Sequence, residues 1–232
     1  GGQSLVSGVI GQDAHGRQLM NLLEDGGVRT SGVLVLDQWK TTVKTRIIAE
    51  HQQVCRVDWD ALMEYDPAIF DQLCAMIDVE VEKATGVIIE DYGKGIIQQR
   101  VVDTVIQAAR RRRIPTGFDP KDYHELAIQG ITMASPNRHE AFCAVAAIEN
   151  KPEGDPLKDE KLLRVARALR AKWEPELLML TLGSKGMLLV EKDKDFAVIP
   201  TRAREVFDVS GAGDTVIATG VLALAAGATR VE

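Results

Sequence analysis

The seven residues Asp208-Val209-Ser210-Gly211-Ala212-Gly213-Asp214 gather more chemically useful residue types than any other stretch of the chain. An apolar helical pattern over 215–226 follows them directly. Gly211 and Gly213 let a ligand come close to the main chain, and the first N–H groups of a helix point outward without intrahelical partners. Such a turn is an anion site, reinforced by the helix dipole, and it suits the oxygens of a phosphoryl group during transfer. Asp214, in the first turn, would stand beside that anion as the base for an acceptor hydroxyl. The plainer explanation is an N-capped buried helix, because Asp and Ser favour helix starts and Gly favours strand-to-helix turns. The density of special residues in so short a stretch favours the anion site. Two other phosphate motifs fail on spacing. A GxGxxG fingerprint needs glycine where Val216 stands, and the P-loop pattern GxxxxGK[ST] comes nearest at Gly11–Gly16, where Arg17-Gln18 follows.

The elements that must carry this turn alternate along the chain. Short apolar runs at 5–10, 87–89, 114–118, 131–134 and 177–182 predict buried strands. Helical patterns fall between them at 17–24, 98–112, 139–147 and 157–173, with Leu162, Val165, Ala166, Leu169 and Trp173 on one face of the last. Strand, helix, strand in succession predicts an α/β fold with a largely parallel sheet covered on both sides. One block breaks the rhythm. Strand-like runs at 32–36, 41–50 and 53–57 follow one another without a helix and predict a small antiparallel sheet, a lid over about 31–59. Residues 151–159 read as a surface loop, and 186–191 with 196–200 as a hairpin. The chain starts beside a strand and stops where a further element is due, so it reads as a single domain over 1–232 that is truncated at both ends.

With 45% hydrophobic and 27% charged residues over 232 positions, the chain can bury a large core. A net charge of −6 and a pI near 5.4 argue against nucleic acid as a partner. The run Arg110-Arg111-Arg112-Arg113 ends an apolar helical pattern, where cations complement the helix dipole. No apolar run is long enough to span a membrane. Cys55, Cys74 and Cys143 are odd in number and widely spaced, which fits reduced thiols in the cytoplasm. His51, His124 and His139 are scattered and carry no assigned role.

Further residues join the reading through resemblance. Asp208–Asp214 resembles the second signature of the ribokinase/phosphofructokinase-B (PfkB) carbohydrate kinases. Thr181-Leu182-Gly183-Ser184-Lys185-Gly186 looks like that family's T-x-G-x-x-G, which contacts ATP phosphates and ribose; alone, it reads as a tight turn between strands. Asn137-Arg138-His139-Glu140 looks like its N-x-x-E motif, which influences Mg²⁺ and phosphate binding; alone, it reads as a capping box. Residues 6–16 are similar to the family's V-G-x-[IV]-G-x-D-x-x-G segment. The resemblance implies a ribokinase-like three-layer α/β/α sandwich with a small β-sheet lid. It also implies Asp214 as base and Gly211, Ala212 and Gly213 as the anion cradle. Asn137, Glu140, Thr181, Gly183, Gly186 and Asp208 would serve ATP, with Glu140 acting on Mg²⁺ indirectly.

Within the family, the resemblance is closest to the heptose 7-phosphate kinases of lipopolysaccharide precursor synthesis, often fused to an adenylyltransferase. It rests on Thr41–Arg46, residues 51–58, and Asp91-Tyr92-Gly93-Lys94-Gly95 with Asp119-Pro120-Lys121. Lys44 and Arg46, alternate residues of one strand, would project from a single face as a phosphate clamp, or else form a solvated face that discourages edge pairing. Arg56 and Asp58 would contact substrate or pair with each other. Asp91 and Lys94 follow a strand at the end where open α/β sheets place ligands. The implied reaction is phosphorylation of the anomeric hydroxyl of a heptose 7-phosphate, in a homodimer joined through the lid. Another PfkB kinase acting on a different sugar or a nucleoside, and a non-catalytic remnant that binds nucleotide or a partner, are the alternatives.

Overall fold

The computed structural model describes residues 2–50, 52–59, 66–121, 124–192, 194–202 and 211–229, with Gln53 by its main chain alone. Asp208 and His51 lie outside the described residues. Contacts divide the chain into two compact units, Gly1–Glu80 and Val81–Glu232.

In the first unit β1 (Leu5–Gly11), α1 (Ala14–Asp25) and β2 (Arg29–Leu36) form one β-α-β crossover, with β1 and β2 paired in parallel from Leu5↔Arg29 to Gly11↔Leu36. Asp13 caps α1: its Oδ1 accepts from the Gly16 N–H at 2.8 Å and its Oδ2 from the Thr41 N–H at 2.9 Å. Those two main-chain donors hold its carboxyl down at about 2. A side chain at Gly16 would put Cβ 2.2 Å from the Gly11 carbonyl oxygen, so the close approach of α1 to β1 requires glycine there.

The lid differs from expectation. The run at 32–36 belongs to β2 and pairs with β1, because the helix between them makes a parallel crossover the natural connection. What remains is a two-stranded antiparallel ribbon, β3 (Val43–Ala49) and β4 (Gln52–Trp59). Directly opposed residues of such a ribbon project to the same side. Lys44↔Asp58 and Arg46↔Arg56 therefore share one face, and Val43↔Trp59, Thr45↔Val57 and Ile47↔Cys55 share the other. The sequence reading does not anticipate α2 (Pro67–Val81), which buries Phe70, Leu73, Ile77 and Val81 as a stripe at helical spacing.

The second unit contains β5 (Val87–Glu90), α3 (Gln99–Arg112), β6 (Thr116–Asp119), β7 (Met133–Ala134), α4 (Arg138–Ala144), α5 (Glu160–Trp173), β8 (Leu177–Thr181), β9 (Met187–Glu191), β10 (Ala197–Ile199) and α6 (Ala212–Ala225). Its six-stranded sheet has the order β10-β9-β8-β7-β6-β5, with β5 to β8 parallel and β9 and β10 antiparallel, the latter two being the hairpin read from sequence.

Alternation along the strands sorts the two faces. Met133, Leu177, Met179 and Leu189 pack with Ile217 and Val221 of α6. Gly117 admits α6 so closely that a Cβ there would meet the Val221 side chain at 2.7 Å. The next residue, Phe118, faces the other way and meets Trp173 of α5 edge to face at 6.1 Å. Helix α6 thus covers one side of this sheet and α5 the other, which gives three layers. Arg110, Arg111 and Arg112 occupy the last turn of α3, and Arg110 donates to the Gln129 carbonyl at 3.2 Å, a structural use of the basic run.

Candidate active site

Parallel strands bring their carboxyl ends to one edge of the sheet, and here that edge is acidic. β5 and β6 end in register at Glu90↔Asp119. Carboxylate oxygens of Glu90, Asp119 and Asp214 lie within 4.8 Å of one another. Burial pushes Glu90 up to about 8, with the charges of Asp119 and Asp214 adding to the effect. Asp119 rises to about 6, again chiefly by burial, against the Ser135 hydroxyl that donates to its Oδ1 at 3.0 Å. Both groups are thus pushed toward their protonated forms, Glu90 more strongly than Asp119. Neither was singled out as a site residue from sequence. The signal available was an acid directly after each of two successive predicted strands, 87–89 and 114–118.

Asp214 enters from α6. Gly211, in the left-handed region with φ 75°, is the N-cap and lets the chain turn into the helix. The turn closes through a Thr215 hydroxyl bond of 2.8 Å to the Gly211 carbonyl. Gly211, Ala212 and Asp214 are exposed, so the start of the helix opens to solvent as the anion-site reading requires. A Cβ at Gly213 would meet no atom within 4 Å among the described residues. Tyr92 donates from its hydroxyl to Asp214 Oδ2 at 3.2 Å. Burial and then the charges of Asp214 and Glu90 push that phenol up to about 12, so it remains a donor.

The turn carrying Tyr92 is tied down by Asp91, which is buried. Asp91 Oδ1 accepts from the Gly93 N–H at 2.7 Å, and Oδ2 pairs with His124 Nδ1. Asp91, assigned to substrate from sequence, thus has both oxygens engaged within the protein, while Lys94 lies half-buried at the end of the same turn.

The nucleotide candidates meet further along the edge. Asn137 Oδ1 accepts from the Glu140 N–H at 2.9 Å and Glu140 Oε2 accepts from the Asn137 N–H at 2.8 Å, the reciprocal capping box of α4. Asn137 also forms a β-bridge with Thr181, the last residue of β8. Gly183 and Gly186 follow with φ of 59° and 87°. Gly186 has a packing reason of its own, since a Cβ would lie 1.9 Å from the Ile199 carbonyl oxygen.

In the first unit, Lys44, Arg46, Arg56 and Asp58 share the polar face of the ribbon. Arg56 forks onto Asp58 with bonds of 2.8 and 3.0 Å, so this pair is a salt bridge within the lid.

The all-oxygen donor set of Glu90, Asp119 and Asp214 suits a hard divalent cation such as Mg²⁺. Glu140, by contrast, spends its carboxylate on the cap and lies 3.9 Å from Lys121 Nζ.

Residues 1–232 match the family described as pfkB family carbohydrate kinase. The chain belongs to that family. The bifunctional protein HldE of Gluconacetobacter diazotrophicus is 37% identical over 233 residues, covering 100% of this chain and 46% of that protein. HldE of Pseudomonas aeruginosa strain LESB58 is 37% identical over 229 residues, 98% of this chain and 45% of that protein. The PfkB chain therefore spans about half the length of these relatives.

Among solved structures, Arabidopsis thaliana ribokinase complexed with ribose and ATP superposes with a TM-score of 0.74 at 18% identity, over 98% of this chain and 71% of that one. Phosphofructokinase-2 from Escherichia coli in complex with potassium gives 0.73 at 18%, over 99% and 72%. These likenesses establish the ribokinase-like fold.

Proposed function

We propose that this PfkB chain is the kinase part of an ATP-dependent sugar kinase that phosphorylates the anomeric hydroxyl of a heptose 7-phosphate for lipopolysaccharide precursors. The observation that carries the reading is the exposed first turn of α6, where Asp214 stands beside the N–H groups of Ala212 and Gly213. Asp214 takes the proton of the acceptor hydroxyl as its oxygen attacks the γ-phosphorus. The bond to the β-phosphate oxygen breaks, ADP leaves with the electron pair, and the helix N–H groups stabilise charge on the transferred oxygens. Glu90 and Asp119 are the residues that would hold Mg²⁺, which when bound neutralises charge on the nucleotide phosphates.

Asn137, Glu140, Thr181, Gly183, Gly186 and Asp208 are assigned to ATP. Lys44 and Arg46 are assigned to the distal phosphate of the sugar, and Arg56, Asp58, Asp91 and Lys94 to substrate binding without a more specific role. The heptose assignment is supported by the specialised segments at 41–46, 51–58 and 91–95 and by relatives named HldE at 37% identity.

A homodimer joined through the β3–β4 ribbon is supported by the ribbon's apolar face, on which Trp59 is 66% exposed. A cytoplasmic setting is supported by three cysteines that form no disulfide and by the absence, among the described residues, of any helix long and apolar enough to cross a membrane.

The test is Asp214→Asn in the full-length protein, followed by ADP release with heptose 7-phosphate, ATP and Mg²⁺. Turnover should fall roughly 10²- to 10⁴-fold with ATP affinity little changed. Full activity in that variant would refute the base assignment.

A further inference from the structure

Tyr92 and Asp214 are 122 positions apart in sequence, yet the phenol hydroxyl reaches Oδ2 of the carboxylate at 3.2 Å. Burial alone does not account for where this ring sits, because half of its surface is open to solvent. Its main chain, however, is fixed on both sides. The Asp91 N–H donates to the Asp119 carbonyl at 3.0 Å, and the Gly93 N–H donates to Asp91 Oδ1 at 2.7 Å. Asp91 is itself 5% exposed and anchored to His124. A rigid, buried carboxylate thus holds a short turn whose central residue leaves the core and ends at the hydroxyl bond to Asp214.

A carboxylate base works through one oxygen at a time, and the side chain of an exposed aspartate samples several rotamers. A donor fixed on one oxygen selects a rotamer and presents the other oxygen to the incoming alcohol, the same logic by which a third group orients the base in nucleophilic triads. Among the described residues, Asp214 Oδ1 accepts no hydrogen bond. We propose that Tyr92 is a positioning residue for the phosphoryl-transfer base: it holds Oδ2 of Asp214 so that Oδ1 faces the acceptor hydroxyl. This inference rests on the reading of Asp214 as the base. It also gives the anchored Asp91 a definite task, which is to hold the Tyr92 turn.

The experiment is a double-mutant cycle in the full-length protein, with wild type, Tyr92→Phe, Asp214→Asn and the double variant assayed with ATP, Mg²⁺ and heptose 7-phosphate. Tyr92→Phe removes one oxygen atom and keeps the ring. Its kcat should fall roughly tenfold, the scale of one hydrogen bond to a charged group, with KM for ATP and for the sugar unchanged and Tm within a degree or so of wild type. In the Asp214→Asn background the same change should cost nothing more, because the group it orients is gone. A wild-type kcat for Tyr92→Phe overturns the proposal while leaving the base assignment intact. So does a tenfold loss that repeats in the Asp214→Asn background, whether or not Tm falls with it. If Asp214→Asn itself retains full activity, the base assignment is what fails, and the two failures are told apart by which single variant is active.

Discussion

Glu90 and Asp119 face each other at the carboxyl ends of two adjacent parallel strands, with their carboxylate oxygens within 4.8 Å of each other and of those of Asp214. The arrangement follows from register: once Val87 pairs with Thr116, the two strand-end acids must meet. Three carboxyl groups so close together cannot all be ionised cheaply, and because the Ser135 hydroxyl and the Lys121 charge favour the ionised form of Asp119, Glu90 is the one that most favours its proton.

That proton makes stability depend on pH. The folded-state value for Glu90, about 8, lies above its ordinary value of 4.5. Between those limits the folded protein binds the proton and the unfolded chain releases it. Stability from this source is therefore complete below about pH 4.5 and is lost as pH rises toward 8. Glu90→Gln, neutral throughout, should flatten the slope of Tm against pH from 5 to 8 in metal-free buffer and raise Tm at pH 8 by on the order of a few °C. Partial exposure of the site trims the effect. Parallel Tm curves for the two proteins would show that Glu90 is ionised at neutral pH.

Gly213 separates a ligand requirement from a folding requirement. Its φ is not positive and a Cβ would meet nothing within 4 Å, so the fold does not need glycine there. In a helix interior alanine is favoured over glycine by about 0.5–1 kcal/mol. Gly213→Ala should accordingly keep or slightly raise Tm while lowering kcat/KM for ATP by roughly tenfold or more, because the added methyl stands where phosphoryl oxygens must approach. Thermal melts and steady-state kinetics on one preparation decide it; unchanged kinetics would remove the anion cradle from this turn.

Local signals in the sequence were enough for the capping box at Asn137 and Glu140, the strands at 87–89 and 177–182, and the position of Asp214 in a first helical turn. Each depends on residues within a few positions of one another. Pairing across distance was less legible. The run at 32–36 looks like a lid strand beside its neighbours in sequence, whereas the helix before it commits it to β1. Glu90 lies in no motif, and the segments that contain Tyr92 and Asp119 give neither side chain a role of its own. Their meaning arises from parallel register and from the insertion of α6 beside Gly117, which bring distant segments to one point. Helix α2 was legible in principle, since Phe70, Leu73, Ile77 and Val81 keep helical spacing.

Lys44 and Arg46 test the sugar. Both lie on the polar face of β3 with Arg56 and Asp58. If they grip a distal phosphate, replacing both with alanine should raise KM for heptose 7-phosphate roughly 10- to 100-fold, given the strength of hydrogen bonds to charged groups. KM for the unphosphorylated heptose should barely move. Equal losses on both sugars would assign the pair to the ribbon's own structure and not to phosphate recognition.

The opposite face of the ribbon tests assembly. A two-stranded antiparallel ribbon is marginal by itself, and an apolar face left in water invites pairing. Ile47 and Trp59, 48% and 66% exposed, lie on that face, so lysine at both positions should not disturb the fold of a single chain. Sedimentation should show a dimer for the wild type and a monomer for Ile47→Lys/Trp59→Lys, with Tm falling only as far as lost dimerisation requires. A wild type that sediments as a monomer, or a double variant that stays dimeric, would remove the ribbon from the interface. If the lid must be held by a second copy to close on substrate, the monomeric variant should also show a higher KM for the sugar at low protein concentration, while its ATP affinity stays that of the wild type.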